Sequence, residues 1–280
     1  MTVPVTSGEA LWQECAQQLP AAPRLLAELG RLVRSPAAGA EDVVALLRRD
    51  AAIVSRLLRM ANSAAYARAE PAASIEEAVA AIGFVEVHRL VGALAADGLA
   101  DRPLPLHGVS AAAFRGNALF VATLMEELGA RAQLDAHACY TTGLLRMIGL
   151  PVLARAAEKS AAAIPPFASS GEVTVAAWER RYWGIDHRSL AARLLEDWHF
   201  PPELVAALAP PDRPAADAGP AVHLLQLAVA VAARDGYGLP GDDARVEDAT
   251  ITAAGLSAGQ FSSACERAEE TFKRLRASVV

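Results

Sequence analysis

Six histidines and three cysteines are the residues of this 280-residue chain best suited to hold a metal or drive hydrolysis. Metal-assisted hydrolysis needs several such side chains from different elements, converging so that the ion polarises its substrate and lowers the pKa of a bound water. His88, His107, His137, His199 and His223 show neither H-x₃-H nor H-E-x-x-H spacing, the patterns that put two ligands on one helix face. Each of these five reads as a surface or capped core histidine. Cys15, Cys139 and Cys265 are far apart and lack C-x-x-C spacing, which suggests neither a disulfide framework nor a zinc knuckle. They read as small hydrophobes in a reducing compartment. Gly236, Gly238 and Gly241 have no strand before them and form no phosphate-cradling loop. Ser169 and Ser170 beside Gly171 signal a loop, and no G-x-S-x-G nucleophile elbow occurs.

The elements that must position any site are helical. A composition of 53% hydrophobic and 21% charged residues fits a packed globular protein, and the low aromatic share of 5% favours close-packed helices with Leu, Val and Ala interfaces. Apolar residues recur at helical spacing at Leu25, Leu26, Leu29, Leu32 and Val33, and again at Val43, Val44, Leu46 and Leu47. Asp50 is placed to cap the helix carrying Ile53 and Leu57, Ser74 with Glu77 forms a capping box, and Gly83 marks a turn. The breakers Asp101, Pro103, Pro105 and Gly108 make residues 100–110 a connection between two helical halves. Further helices are expected near 111–129, 135–145, 151–163, 173–183, 187–198, 201–209, 221–233 and 257–277, with a proline loop at 210–214. The sole strand candidate, Arg245 to Thr252, is short, so the expected fold class is all-α. A net charge of −6 argues against a nucleic-acid partner. The N-terminus lacks the pattern of a secretory signal and no span approaches the ~20 apolar residues of a membrane helix, so no membrane partner and a cytoplasmic location are expected.

Three ordered motifs give the chain a family likeness. Leu19-Pro20-Ala21-Ala22-Pro23 is followed by Leu57-Leu58-Arg59-Met60-Ala61-Asn62-Ser63-Ala64-Ala65-Tyr66, then by Ser74-Ile75-Glu76-Glu77-Ala78 closing on Ile82-Gly83. Later come Trp183-Gly184-Ile185-Asp186-His187 and a run from Leu194 through Trp198 to Pro201. Over most of its length the sequence resembles the HDOD family (HD-related output domain), a degenerate relative of the HD phosphohydrolases. The resemblance implies an HDOD-like helical fold, with an N-terminal extension at 1–18, an N-terminal helical half at 19–100 and a degenerate HD-like half at 111–280.

The same resemblance implies that the catalytic positions have changed. In HD enzymes the run matching Gly143-Leu144-Leu145-Arg146-Met147-Ile148-Gly149 reads G-L-L-H-D-I-G, and its His-Asp pair binds metal. Arg146 has no lone pair to offer a metal, and the Met147 thioether suits soft ions. The first ligand position falls at Gly116 or Asn117 after Arg115, later ones fall near Pro211, Asp212, Ala228 and Val229, and His187 alone survives. The expectation is therefore a protein with no catalytic residues, no metal and no cofactor. It would act by protein-protein contact on another signalling protein, such as a response regulator, a diguanylate cyclase or phosphodiesterase, or another regulator, in a two-component or cyclic-dinucleotide pathway. A rival reading is a nucleotide or anion sensor in a vestigial pocket of Arg115, Gly116, Asn117, Arg146, Met147, Asp186, His187 and Arg188. Arg146 would there bind an anion, or else pair with Asp186 or Glu179. An active phosphohydrolase is the remaining alternative. Arg49, Arg56, Arg59 and Asn62 form a candidate partner surface, although Asn62, at the end of its helix, reads more readily as a cap.

Overall fold

Local signals set the helix boundaries. The Asp50 carboxylate accepts from the backbone N–H groups of Ala52 and Ile53 at 2.9 and 3.2 Å, which starts the helix Ala51–Ala61. Ser74 caps Ile75–Ile82 by accepting from Glu77 N at 3.2 Å. The reciprocal half of the expected box is displaced by one residue, because the Glu77 carboxylate accepts from Ala73 N at 3.0 Å. Gly83, at φ +83°, then turns the chain by 108° into the next helix.

The computed structural model describes residues 5–63, 71–99, 101–161, 163–172, 174–208 and 219–279. Among them α1 (Val5–Gln17), α2 (Ala21–Arg34), α3 (Ala40–Leu47), α4 (Ala51–Ala61), α5 (Ile75–Ile82) and α6 (Phe84–Leu99) precede the 101–110 connection. After it come α7 (Ala111–Arg131), α8 (Ala136–Leu145), α9 (Gly149–Lys159), α10 (Val175–Trp183), α11 (His187–Asp197), α12 (Pro202–Leu208), α13 (Pro220–Arg234), α14 (Asp248–Ala253) and α15 (Ala258–Val279). The all-α expectation is met, with no strand among the described residues. The strand candidate is corrected, because Asp248–Ala253 is helix α14 and turns Ile251 into the core. Residues 64–66 of the second motif and the 210–214 proline loop lie outside the described residues.

Helix α7 is the axis of the molecule. It packs on α8, α13 and α15, and buries Phe114, Phe120, Val121, Leu124 and Leu128 in different directions. Helix α8 can approach it closely because of Gly143, where a Cβ would lie 3.0 Å from the Ala122 Cα and the Val121 carbonyl. The connection at 101–110 is more than a spacer. Its Leu104 and Val109 pair across a short bridge, and His107 between them is buried. One continuous apolar core runs from Trp12 of α1 to Leu275 of α15, so both helical halves share it. The N-terminal extension contributes to that core, since α1 packs on α9 and α10 and buries Trp12 and Cys15. Cys15 and Cys139 are buried free thiols, and Cys265 is a partly buried one.

Candidate functional site

The altered motif sits where α8 ends and α9 begins. Arg146 follows directly on α8, and its side chain is only 3% exposed. A buried guanidinium needs acceptors. Arg146 Nη2 donates to Asn117 Oδ1 of α7 at 2.5 Å and lies 3.9 Å from Asp242 Oδ2, while its Nε has no acceptor. Burial pushes this guanidinium down to about 10, against the pull of Asp242. The expected pairing with Asp186 or Glu179 is thus corrected: Asn117 and Asp242 hold Arg146. Both are themselves fixed, since Asn117 Nδ2 donates to the Tyr237 carbonyl at 2.8 Å and Asp242 Oδ2 accepts from Leu239 N at 2.9 Å. Met147 is core.

His187 stands at the start of α11, behind the cap made by Asp186. The Asp186 carboxylate accepts from Arg188 N and Ser189 N at 3.1 and 2.9 Å and pairs with Arg180 at 3.3 Å. The His187 ring is fixed through one nitrogen. Its Nδ1 bonds Glu179 Oε2 at 2.6 Å, and its backbone N–H donates to the same oxygen at 2.8 Å. The other carboxylate oxygen, Oε1, meets His107 Nε2 at 2.9 Å. Burial alone would raise the Glu179 carboxyl, but the His187 charge and the hydrogen bonds from both imidazoles outweigh it and hold it at about 2. Trp178 meets the His107 ring edge-on with centroids 5.0 Å apart, and Trp183 stacks at 6.5 Å.

The sequence reading did not find the His107–Glu179–His187 cluster. One signal was available: Glu179 stands four residues after Val175 and four before Trp183, on the apolar face of α10. His107, in a loop far away in sequence, carried no comparable mark.

The last glycine of the motif has a packing role. A Cβ on Gly149 would lie 2.2 Å from the His187 carbonyl oxygen, so α9 and α11 meet backbone to backbone there. Gly149→Ala is expected to lower stability by about 3 kcal/mol or more, at or above the usual cost of overpacking, because backbone rather than a flexible side chain must move. The urea-unfolding midpoint measures this, and a variant as stable as the parent would contradict it.

The residues expected to converge are divided between two cavities. Arg146 and Arg188 line one of about 440 Å³ with Val229, Leu225, Asp242 and Arg245. Arg115 and Gly116 line another, of about 650 Å³. Asn117 joins the two, bonding Arg146 of the first and the backbone of Tyr237 in the second. Positions 211 and 212 lie outside the described residues, and Ala228 is core. On the candidate partner surface, Arg49 pairs with Glu28 at 2.9 Å and Arg56 with Asp97 at 3.3 Å, and Arg59 bonds Ser55 at 2.8 Å. Asn62 is a clamp, donating to the Ala72 carbonyl at 3.1 Å and accepting from Ala72 N at 2.6 Å.

The HDOD domain family matches residues 19–214, which is most of the chain. The protein belongs to the HDOD family. Similar solved structures include an HDOD domain protein of unknown function from Geobacter sulfurreducens, with 19% identity and a TM-score of 0.66 over 99% of this chain and 98% of that one. A candidate signal transduction protein from Marinobacter aquaeolei VT8 has 20% identity and a TM-score of 0.64 over 98% of this chain and 65% of that one. A candidate phosphohydrolase from Shewanella amazonensis SB2B has 24% identity and a TM-score of 0.63 over 95% of this chain and 98% of that one. At these identities the likeness is one of fold. No curated protein matches the sequence.

The divalent metals of HD enzymes do not fit this HDOD protein. At the positions that the resemblance matches to metal ligands stand Gly116 or Asn117, the latter bonded on both sides, and Arg146, a cation in its own right. His187 alone keeps an imidazole, held through Nδ1 by Glu179, and one imidazole cannot hold a catalytic ion. Among the described residues no three His, Cys, Asp or Glu side chains are placed to share an ion.

Proposed function

We propose that this HDOD protein works without hydrolysis, as a signalling module that acts by binding another protein in a two-component or cyclic-dinucleotide pathway. One observation carries the reading: the Arg146 guanidinium lies between Asn117 and Asp242, so a fixed cation of the chain itself stands among the former ligand positions. It is held by Asn117 and Asp242, and it offers no site for an activated water. A response regulator, or a diguanylate cyclase or phosphodiesterase, is the class of partner expected, in the cytoplasm. Arg49, Arg59 and Asn62 of the candidate surface are exposed, and Arg56 is partly buried. Arg56 and Asn62 are engaged within the fold. The division into 19–100 and 111–280, with 1–18 before them, belongs to the same proposal, with partner binding assigned to the first half.

Purified protein assayed with cyclic dinucleotides and generic phosphodiesters in Mn²⁺, Mg²⁺ or Fe²⁺ is expected to show no turnover above the metal-only background. Turnover that His187→Ala abolishes would overturn the reading.

A further inference from the structure

The cavity of about 650 Å³ falls in the size range of small-molecule sites and lies between the two helical halves. It is walled by Arg56 of α4 and Asp97 of α6 from the first half, and by Arg115 of α7, Tyr237 and Arg276 of α15 from the second. Asp97 is its one acidic side chain among the described residues, and it is shared, lying 3.3 Å from Arg56 Nη1 and 3.5 Å from Arg115 Nε. Arg276 has no carboxylate paired to it among the described residues, and its guanidinium carbon lies 5.5 Å from the centre of the Phe272 ring. Cationic charge is thus gathered in a cleft of a chain whose net charge is −6. Low-dielectric walls concentrate such a field on an incoming anion. Guanidiniums arriving from three different helices suit the diverging oxygens of a phosphate better than a single planar carboxylate. Beside them the Tyr237 ring is held in place, stacked on Phe120 with centroids 4.8 Å apart. Gly116, Gly236 and Gly238 also line the wall.

We propose that this cleft, formed by Arg56, Arg115, Arg276 and Tyr237, binds a phosphate-bearing small molecule of nucleotide size. The inference goes beyond the signalling role and does not depend on it. It overlaps the sensor expected at the altered metal motif only through Arg115 and Gly116, and the cleft shares no lining residue with the Arg146 cavity. Tyr237 and Arg276 lie outside the 19–214 span of the family match. A ligand held here would tie α4 and α6 to α7 and α15, and its presence would alter the packing between the two halves.

The test is isothermal titration of the full chain with ATP and with inorganic pyrophosphate. Binding of either probe is expected, weakened at least tenfold by Arg276→Glu, an exposed substitution whose unfolding midpoint should stay at the parent value. The double variant Arg56→Ala/Arg276→Ala should show the same loss, while Arg188→Ala in the other cavity should bind as the parent does. Absence of binding by both probes, or binding that Arg276→Glu leaves unchanged, would overturn the proposal. So would a loss produced by Arg188→Ala in place of Arg276→Glu.

Discussion

Replacing Glu179 with leucine is expected to lower the unfolding free energy by about 3–5 kcal/mol, the usual cost of removing one member of a buried charged group while leaving the others. The carboxylate is fully buried and accepts from His107, from the His187 ring and from the His187 backbone. Leucine fills much of the same volume but strands all three donors among Trp178, Trp183 and the start of α11. Because His107 lies in the connection between the halves and His187 begins α11, the loss should reach beyond α10. Glu179→Gln keeps one acceptor and is expected to cost less. Urea unfolding at neutral pH measures both, and a leucine variant within about 1 kcal/mol of the parent would show that the cluster is not a structural tie.

Acid should destabilise the protein well before its carboxylates are protonated, and His88 is the expected cause. This side chain of α6 is fully buried, with Nε2 3.2 Å from the Thr141 hydroxyl of α8 and no partner for Nδ1. Burial first, then the nearby His137, Arg89 and Arg34, pushes its pKa down to about 3 from 6.5. The direction of the linkage follows. The unfolded chain takes up a proton near pH 6.5 and the folded one only near pH 3, so between those values protons bind preferentially to the unfolded state. Stability is therefore complete above pH 6.5 and falls progressively as the pH drops towards 3. The full loss is on the order of 5 kcal/mol, at about 1.4 kcal/mol per pKa unit. His137, partly buried on α8 and also pushed down by burial, adds in the same direction. Unfolding free energies of the parent and of His88→Leu should diverge in their pH dependence between pH 7 and 4, with the flatter profile in the variant. Parallel profiles would assign the acid sensitivity elsewhere.

The fold was legible wherever a local signal coincided with helical spacing. Asp50, Ser74 and Gly83 mark real boundaries because a cap or a positive φ is decided within a few residues. Helix α14 was missed because six residues carry too short a period to separate helix from strand. The site was legible in part. The motif singles out Arg146, and Asn117 does meet it, but Asp242 arrives from a turn 96 residues later and has no motif of its own. Neither could spacing reveal that Arg115, only two residues before Asn117, leaves α7 towards a different cavity, paired with Asp97. On a helix, two residues in sequence are about 200° in direction. The arginines of α4 illustrate the same limit, because a basic stripe in sequence does not show which members are engaged: Arg56 turns to Asp97 and Arg49 to Glu28.

Both ends of the chain are fastened across the fold. Helix α1 lies on α9 and α10, with Arg193 of α11 5.4 Å over the Trp12 ring, and at the other terminus Phe272 of α15 meets Phe120 of α7 with centroids 5.3 Å apart. The span that matches the family, 19–214, omits both fastenings. A fragment trimmed to that span would uncover the apolar face of α7 now covered by Phe272 and Leu275, and the face of α9 now covered by Trp12 and Cys15. For this protein the unit of folding is wider than the unit of recognition, and partner capture, calorimetry or crystallisation should keep both α1 and α15.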